Sequence, residues 1–360
     1  MNRAVVIGGG IGGLSAAIGL RRIGWEVLVY ERAPSFTAVG AGITVWPNAV
    51  RALGELGVYA PSAAGRTVGV RDHRGRWLIR DTGFPVLGLH RAELLDLLRD
   101  ALPADVLRPG VEITDVGDVD ADLVVAADGV HSRTRAALWP ECPGPVYAGS
   151  TAFRAVVDEP GDGELSGFLG PGVEIGMVPL RDGRLYWYAA LAGPRGARPD
   201  AKAFLRKRFR GWPEPVPGLI ERTPADRFLQ HDLLDLRRPG SFVRGRVALL
   251  GDAAHAMPPF LGQGGCQAIE DAAVLAAALA DTGDVPRALA SYDRQRGPRT
   301  RAIARRSRQT GRLGVGLRNP LAVGLRDAMI RALPDRLAVR GTTSVTDWTP
   351  PRVSRRRSPA

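Results

Sequence analysis

A strand, a glycine-rich turn and a helix follow one another at the start of the chain, and no other feature constrains the fold as tightly. Ala4 to Ile7 is a short run rich in β-branched residues, the pattern of a buried parallel strand. Gly8, Gly10 and Gly13 fall in G-x-G-x-x-G spacing, and Ile11 to Ile23 carries helix-forming Ala and Leu. Gly24 closes the helix, and Glu26 to Tyr30 reads as a second strand with Glu31 at its carboxyl end. One glycine permits the tight turn, one lets the backbone approach a pyrophosphate, and one lets helix and strand pack closely. The helix N-terminus then offers unpaired N–H groups and a partial positive charge to the diphosphate. Glu31 is placed to accept hydrogen bonds from an adenosine ribose. Arg32 beside it would suit a 2′-phosphate, but the Glu31 carboxylate would repel one. A ligand-free glycine turn is the plain alternative; the flanking strand, the helix and the acidic residue argue against it. The unit reads as a site for NAD or FAD and does not separate the two.

At 360 residues the chain exceeds what one core usually fills, so two domains are expected. Apolar residues make up 45% and charged residues 24%, which suits a globular enzyme. No apolar run is long enough to span a bilayer. The first strand begins directly after Met1-Asn2-Arg3, so no signal peptide is expected. Cys142 and Cys266 supply neither a disulfide framework nor a zinc site; no metal is expected, and a reducing cytoplasm fits.

The net charge of +12 is local. Ser291 to Ala360 holds 17 arginines against Asp293, Asp327, Asp335 and Asp347, a net +13, so the other 290 residues sum to −1. The plain reading is solvated helix faces and a frayed tail, Arg352 to Ala360. The sharper reading is attraction to an acidic partner, such as an acyl carrier protein, a membrane surface or nucleic acid. With a near-neutral catalytic body, nucleic acid is not the expected partner.

Along the chain, Val39 to Ile43 reads as a turn into a strand, and Pro47-Asn48 starts a helix to about Leu56. Thr67 to Arg80 reads as a hairpin around Asp72-His73-Arg74-Gly75, with His73 facing solvent. Leu89 to Leu98 has helical apolar spacing, and Arg91 at its start opposes the helix dipole, which suggests that an anion holds it there. Ala121 to Ala127 is a second buried strand, ending in Asp128-Gly129. From Thr151 to Gln230, short alternating runs between Gly/Pro/Asp turns indicate an inserted antiparallel sheet, with Trp187 and Tyr188 as packing residues. Lys202 to Trp212 reads as a basic helix. Arg246 to Leu250 is a third buried strand; it delivers Asp252 and a glycine-rich loop, Gly262 to Gly265, onto a long Ala/Leu helix. Arg-rich helices over Pro286 to Arg308 and Asn319 to Ala332 complete the chain.

Three anchors in order, GGGIGG with Glu31, AADGVHSRTR and GDAAHAMPPFLGQGGCQAIEDA, resemble the flavin-dependent aromatic hydroxylases, the para-hydroxybenzoate hydroxylase family of FAD monooxygenases. The likeness is strongest to the salicylate hydroxylase and zeaxanthin epoxidase branch and covers about residues 1 to 300. It implies an α/β fold: a Rossmann-like FAD-binding domain (1–66, 83–148 and 240–310), an inserted antiparallel-sheet substrate domain (67–82 and 149–239), C-terminal helices (311–351) and a disordered basic tail (352–360). It also implies that Gly8, Gly10 and Gly13 hold the FAD pyrophosphate, Glu31 with Arg32 the adenosine ribose end, and Arg91 the phosphate or ribityl region. Asp128-Gly129 would serve FAD and transiently bound NADH or NADPH, with Arg133 and Arg135 supporting that loop. Asp252 would bind the ribityl chain, and Gly264, Gly265 and Cys266 would set a helix N-terminus against the flavin pyrimidine edge.

The implied activity is NAD(P)H- and O₂-dependent hydroxylation or epoxidation of a small aromatic, alkene or polyketide-like substrate through a flavin C4a-hydroperoxide. No catalytic acid or base is named, and His255 is only a weak candidate. Cys266 stands where many relatives have Asn, Thr44 stands where some place a histidine base, and the Pro109 to Asp122 stretch is short. A reductase or halogenase of the same fold, or a flavin-binding protein acting through its basic C-terminus, are the alternatives.

Overall fold

The computed structural model describes residues 2–36, 40–62, 65–80, 83, 85–158, 164–197, 199–334 and 344–354. Two sheets organise it. The first has six strands in the order Val243–Arg244, Val247–Leu249, Leu123–Ala126, Arg3–Ile7, Glu26–Glu31 and Leu107–Pro109. All pair in parallel except Val243–Arg244. Leu123 to Ala126 are wholly buried, as a central strand covered on both faces requires. Helices Ile11–Arg22 and Gly264–Thr282 join this core, and their small residues let them approach closely: a side chain at Gly19 would lie 2.9 Å from the Ala276 Cβ.

The second sheet has strands Leu229–Asp235, Val146–Val157, Leu185–Ala192, Val173–Pro179, Glu164–Gly170, Gly65–Asp72, Pro85–His90 and Gly42–Val45 in that order, with Trp77–Arg80 paired to Gly65–Asp72. Most neighbours are antiparallel, but Glu164–Gly170 runs parallel to Gly65–Asp72 and so ties the early hairpin to the later insertion. The alternation of these strands is the two-residue period of a sheet with two different faces. Phe153, Ala155, Ile175, Met177, Trp187 and Ala189 point to one face and form a separate core beneath helices Ala201–Arg208 and Val216–Arg222.

Four local expectations change. Leu89 and His90 belong to strand Pro85–His90, and the helix begins at Arg91 and runs to Asp100. Leu87 and Leu89 are drawn into the core, and the His90 ring caps the helix by accepting from Ala92 N. The helix expected over Lys202 to Trp212 stops at Arg208, because Phe209 and Trp212 turn back into the second core, edge to face. His73 does not face solvent freely: it is half-buried against Trp212, and that burial lowers its pKa. The chain is not loose from Arg352 onward, since Val353 packs on Ala276 and Ala277 and its N–H donates to Glu55 Oε2. Residues 355–360, like Val39, lie outside the described ones.

Candidate cofactor and substrate site

The carboxyl ends of four adjacent parallel strands carry the motifs found in the sequence. In sheet order these are Gly251-Asp252, Asp128-Gly129, the Gly8–Gly13 turn and Glu31. Residues separated by more than 200 positions therefore share one edge, where doubly wound sheets bind their ligands. Gly8 sits at φ +104°, and a Cβ there would fall 2.4 Å from the Ala127 carbonyl, so the turn nests against the neighbouring strand. A Cβ on Gly13 would fall 1.9 Å from the Gly8 carbonyl. Gly10 instead faces open space.

The polar groups at this edge suit a dinucleotide. Helices Ile11–Arg22 and Gly264–Thr282 both begin without a side-chain cap, leaving their first N–H groups to a ligand. Glu31 accepts from Gly9 N at 2.7 Å and Ala33 N at 2.8 Å, which orients its carboxylate beside the turn. Asp128 Oδ2 accepts from Thr134 N, while its buried Oδ1 has no partner among the described residues. Gly264 lies close to Asp252, and Gly265 close to Ile43 and Ile11. Arg32 and Arg91 are exposed, and Arg91 is anchored by its N–H to the Ala41 carbonyl. Arg135 is buried and donates to the Ala253 and Val130 carbonyls, tying two of the loops together. Arg133 instead pairs at the surface with Glu112. Cys266 is buried, and burial pushes its thiol up to about 12, so it is a neutral packing group.

Beneath the loops lies a charge network that the sequence motifs did not show. Arg296, 1% exposed, donates to Asp271 and Glu270 at 2.6 Å each. Glu270 also accepts from Arg299 and Asn48. Asp271 accepts from Gly251 N and lies 2.6 Å from His255 Nε2, which places His255 in the scaffold. Arg296, Arg299 and Arg308 belong to the basic region, so reading that region wholly as solvated helix face fails: these arginines are buried or half-buried against carboxylates. The one available signal was the adjacent Glu270-Asp271 pair in an otherwise apolar helix.

The second sheet turns its other face toward the loops. Tyr186 packs on Gly42 and Ala41, and Ala152 and Ala190 pack with Phe260 and Val315. Trp187 and Tyr188 consequently separate. Trp187 is core and donates to Thr223, whereas Tyr188 lies on the inner face directly across from Arg154 and donates to Glu174 at 3.1 Å. No carboxylate pairs with Arg154 among the described residues. A cavity of about 90 Å³ between Ser150, Asp235, Phe260, Arg308 and Val315 marks the seam. It is smaller than the roughly 300 Å³ typical of the smallest ligand pockets.

Burial pushes the Glu174 carboxyl up to about 7, against a downward pull from the Tyr188 hydrogen bond. Because folding raises this pKa above its ordinary 4.5, the folded state holds the proton more tightly, and stability falls as pH rises from 4.5 to about 7. Glu174→Gln should flatten that slope by roughly 2–3 kcal/mol between the ends of the window, read from urea midpoints. A variant whose pH profile parallels the parent's would refute the assignment.

A strand edge of this kind is where doubly wound sheets take a dinucleotide. Residues 107–307 match the FAD binding domain family, and residues 6–50 match the NAD(P)-binding Rossmann-like domain family. The chain is 37% identical to aurachin C monooxygenase/isomerase of Stigmatella aurantiaca, covering 93% of this chain and 96% of the relative. It is 34% identical to the FAD-dependent urate hydroxylase of Klebsiella pneumoniae, over 85% of this chain and 89% of that one. Klebsiella pneumoniae HpxO, crystallised with FAD and uric acid, superposes with a TM-score of 0.88 at 30% identity, over 97% of each chain. The chain belongs to the FAD-dependent aromatic hydroxylases, and it is an FAD-dependent monooxygenase. The expected Rossmann-like domain with a second sheet domain is the fold observed. Among the described residues no helix is long and apolar enough to cross a membrane.

Proposed function

We propose that this monooxygenase oxygenates a planar, electron-rich aromatic or heteroaromatic ring held between the loop edge and the inner face of the nine-stranded sheet. The carrying observation is the polar set Arg154, Tyr188 and Glu174 on that otherwise apolar face. The named relatives act on urate, 3-amino-4-hydroxybenzoate, 6-hydroxynicotinate and aurachin C, which supports a ring substrate with polar substituents. FAD held at the strand edge would pass two electrons from NADH or NADPH to O₂, one atom of which would enter the ring while the other left as water. The protein binds, orients and excludes water. Arg154 stands ready for an anionic substituent, and the Tyr188–Glu174 pair for a hydroxyl or ring N–H. The apolar neighbours Val156, Val178 and Phe260 shield the ring.

In this reading Gly8, Gly10 and Gly13 hold the pyrophosphate, and Glu31, with Arg32 beside it, the adenosine ribose. Asp128-Gly129 and Asp252 hold the ribityl side, and the Gly264-Gly265-Cys266 helix end meets the flavin edge. Arg91 lies at the rim of the same site. The free thiols Cys142 and Cys266 suit the reducing cytoplasm.

Gly10→Ala separates cofactor placement from folding. Its Cβ meets nothing within 4 Å, and its backbone (φ −77°, ψ −176°) admits alanine. The apoprotein should therefore melt as the parent does. Flavin affinity should fall by about tenfold to a hundredfold, because the methyl occupies the pyrophosphate approach. Unchanged affinity, by fluorescence titration with FAD, would remove the diphosphate from Gly10. For the reaction itself, NAD(P)H oxidation and oxygenated product would be followed across hydroxylated aromatic and heteroaromatic acids. Oxidation that no ring compound stimulates would favour the reductase alternative.

A further inference from the structure

Helix Pro320–Ala332 presents an outward face that is apolar along its whole length. Leu321, Leu325, Met329 and Leu333 recur every fourth residue and are 84%, 64%, 62% and 50% exposed. Gly324, Ala328 and Ala332 fill the positions between them and are also exposed, completing a helical stripe. The opposite side is anchored: Val323, Arg326 and Asp327 are buried, Arg326 pairs with Asp327 at 2.7 Å, and it donates to the Leu313 carbonyl at 3.0 Å. Leu313, at the end of the preceding helix, is also 61% exposed. An exposed apolar helix face of this kind marks an interaction surface.

Charge identifies the occupant. Between residues 311 and 334 there are four arginines and one aspartate; Arg326 pairs with Asp327 and Arg331 with Asp72, which leaves Arg312 and Arg318 as the positive charges outside an ion pair among the described residues. Arg312 and Arg318 stand exposed in the segment that leads into the helix. A second copy docked face to face would set these arginines against their counterparts, which like-charge repulsion opposes. An anionic bilayer matches both parts, taking the leucines at the acyl boundary and the arginines at the headgroups. We propose that helix Pro320–Ala332 docks the enzyme peripherally on an anionic lipid surface. The exposed Arg312 and Arg318 strengthen the attraction, and no bilayer crossing is involved.

The test uses the full-length holoenzyme sedimented with vesicles of phosphatidylcholine alone or mixed with phosphatidylglycerol. Binding to the mixed vesicles should be about tenfold or more tighter and should weaken as salt is raised. The Leu325→Glu, Met329→Glu double variant should lose about tenfold or more of that binding. Its flavin content and melting temperature should stay those of the parent, since both side chains point away from the body. Equal binding to the two vesicle types, or a double variant that binds like the parent, would overturn the proposal. Ultracentrifugation showing a dimer that the double variant dissociates, without vesicle binding, would assign the face to a second copy instead.

Discussion

Asp271→Asn is expected to destabilise the folded protein by about 3–5 kcal/mol and to lower the flavin content of what remains folded. The Asp271 carboxylate is fully buried and serves three donors at once: the Arg296 guanidinium, the His255 ring and the Gly251 N–H. Burial alone would raise its pKa; the facing His255 and Arg296 outweigh that and hold it down at about 2. An amide in its place removes a charge from a site that still contains Arg296, and turns an NH₂ group toward donors. The remaining carboxylate, Glu270, is already shared with Arg299 and Asn48. The loss reaches the cofactor because Gly251 immediately precedes Asp252, so a slackened Gly251 N–H moves the residue assigned to the ribityl chain. Urea unfolding of the apoprotein and flavin absorbance per chain measure the two effects. A stability loss below about 1 kcal/mol would show that solvent or rearrangement compensates the network.

Gly13→Ala is expected to abolish flavin binding and to cost roughly 3 kcal/mol or more of stability. By helix propensity alone the change should stabilise by about 1 kcal/mol, since Gly13 lies inside helix Ile11–Arg22. Packing reverses the sign. The new Cβ would lie 1.9 Å from the Gly8 carbonyl, and a backbone atom in a tight turn cannot swing aside as a side chain would. The helix must move away from the strand, and the turn opens. Thermal melting beside Gly10→Ala makes the contrast sharp: one glycine is required by the protein's own packing, the other by its ligand. A Gly13→Ala protein that melts like the parent and keeps its flavin would mean the turn relaxes freely.

These two sites differ in how visible they were beforehand. The Gly13 requirement follows from a spacing rule whose physics is local, because turn, helix start and strand lie within a few residues. The same holds for the Pro47–Leu56 helix, whose start Pro47-Asn48 marked, and for the alternating strands of the second sheet. Asp271 and Arg296 carry no such local mark. Arg296 lies among many arginines, and its burial depends on carboxylates on another helix. Leu89 misled for a related reason: short apolar runs satisfy helix and strand periods alike, and pairing with Gly42–Val45 decided for the strand.

What the sequence determined by itself was the set of cofactor motifs, the two-part architecture and the family, because each rests on short-range sterics, periodicity or residue order. The tertiary structure decided which charges are buried, which face of the Trp187-Tyr188 strand meets the site, and which side of helix Pro320–Ala332 stays uncovered. Those outcomes depend on whether a distant segment arrives to supply a partner, a lining or a cover, and the free energy of a buried charge or an exposed leucine is set by that neighbour.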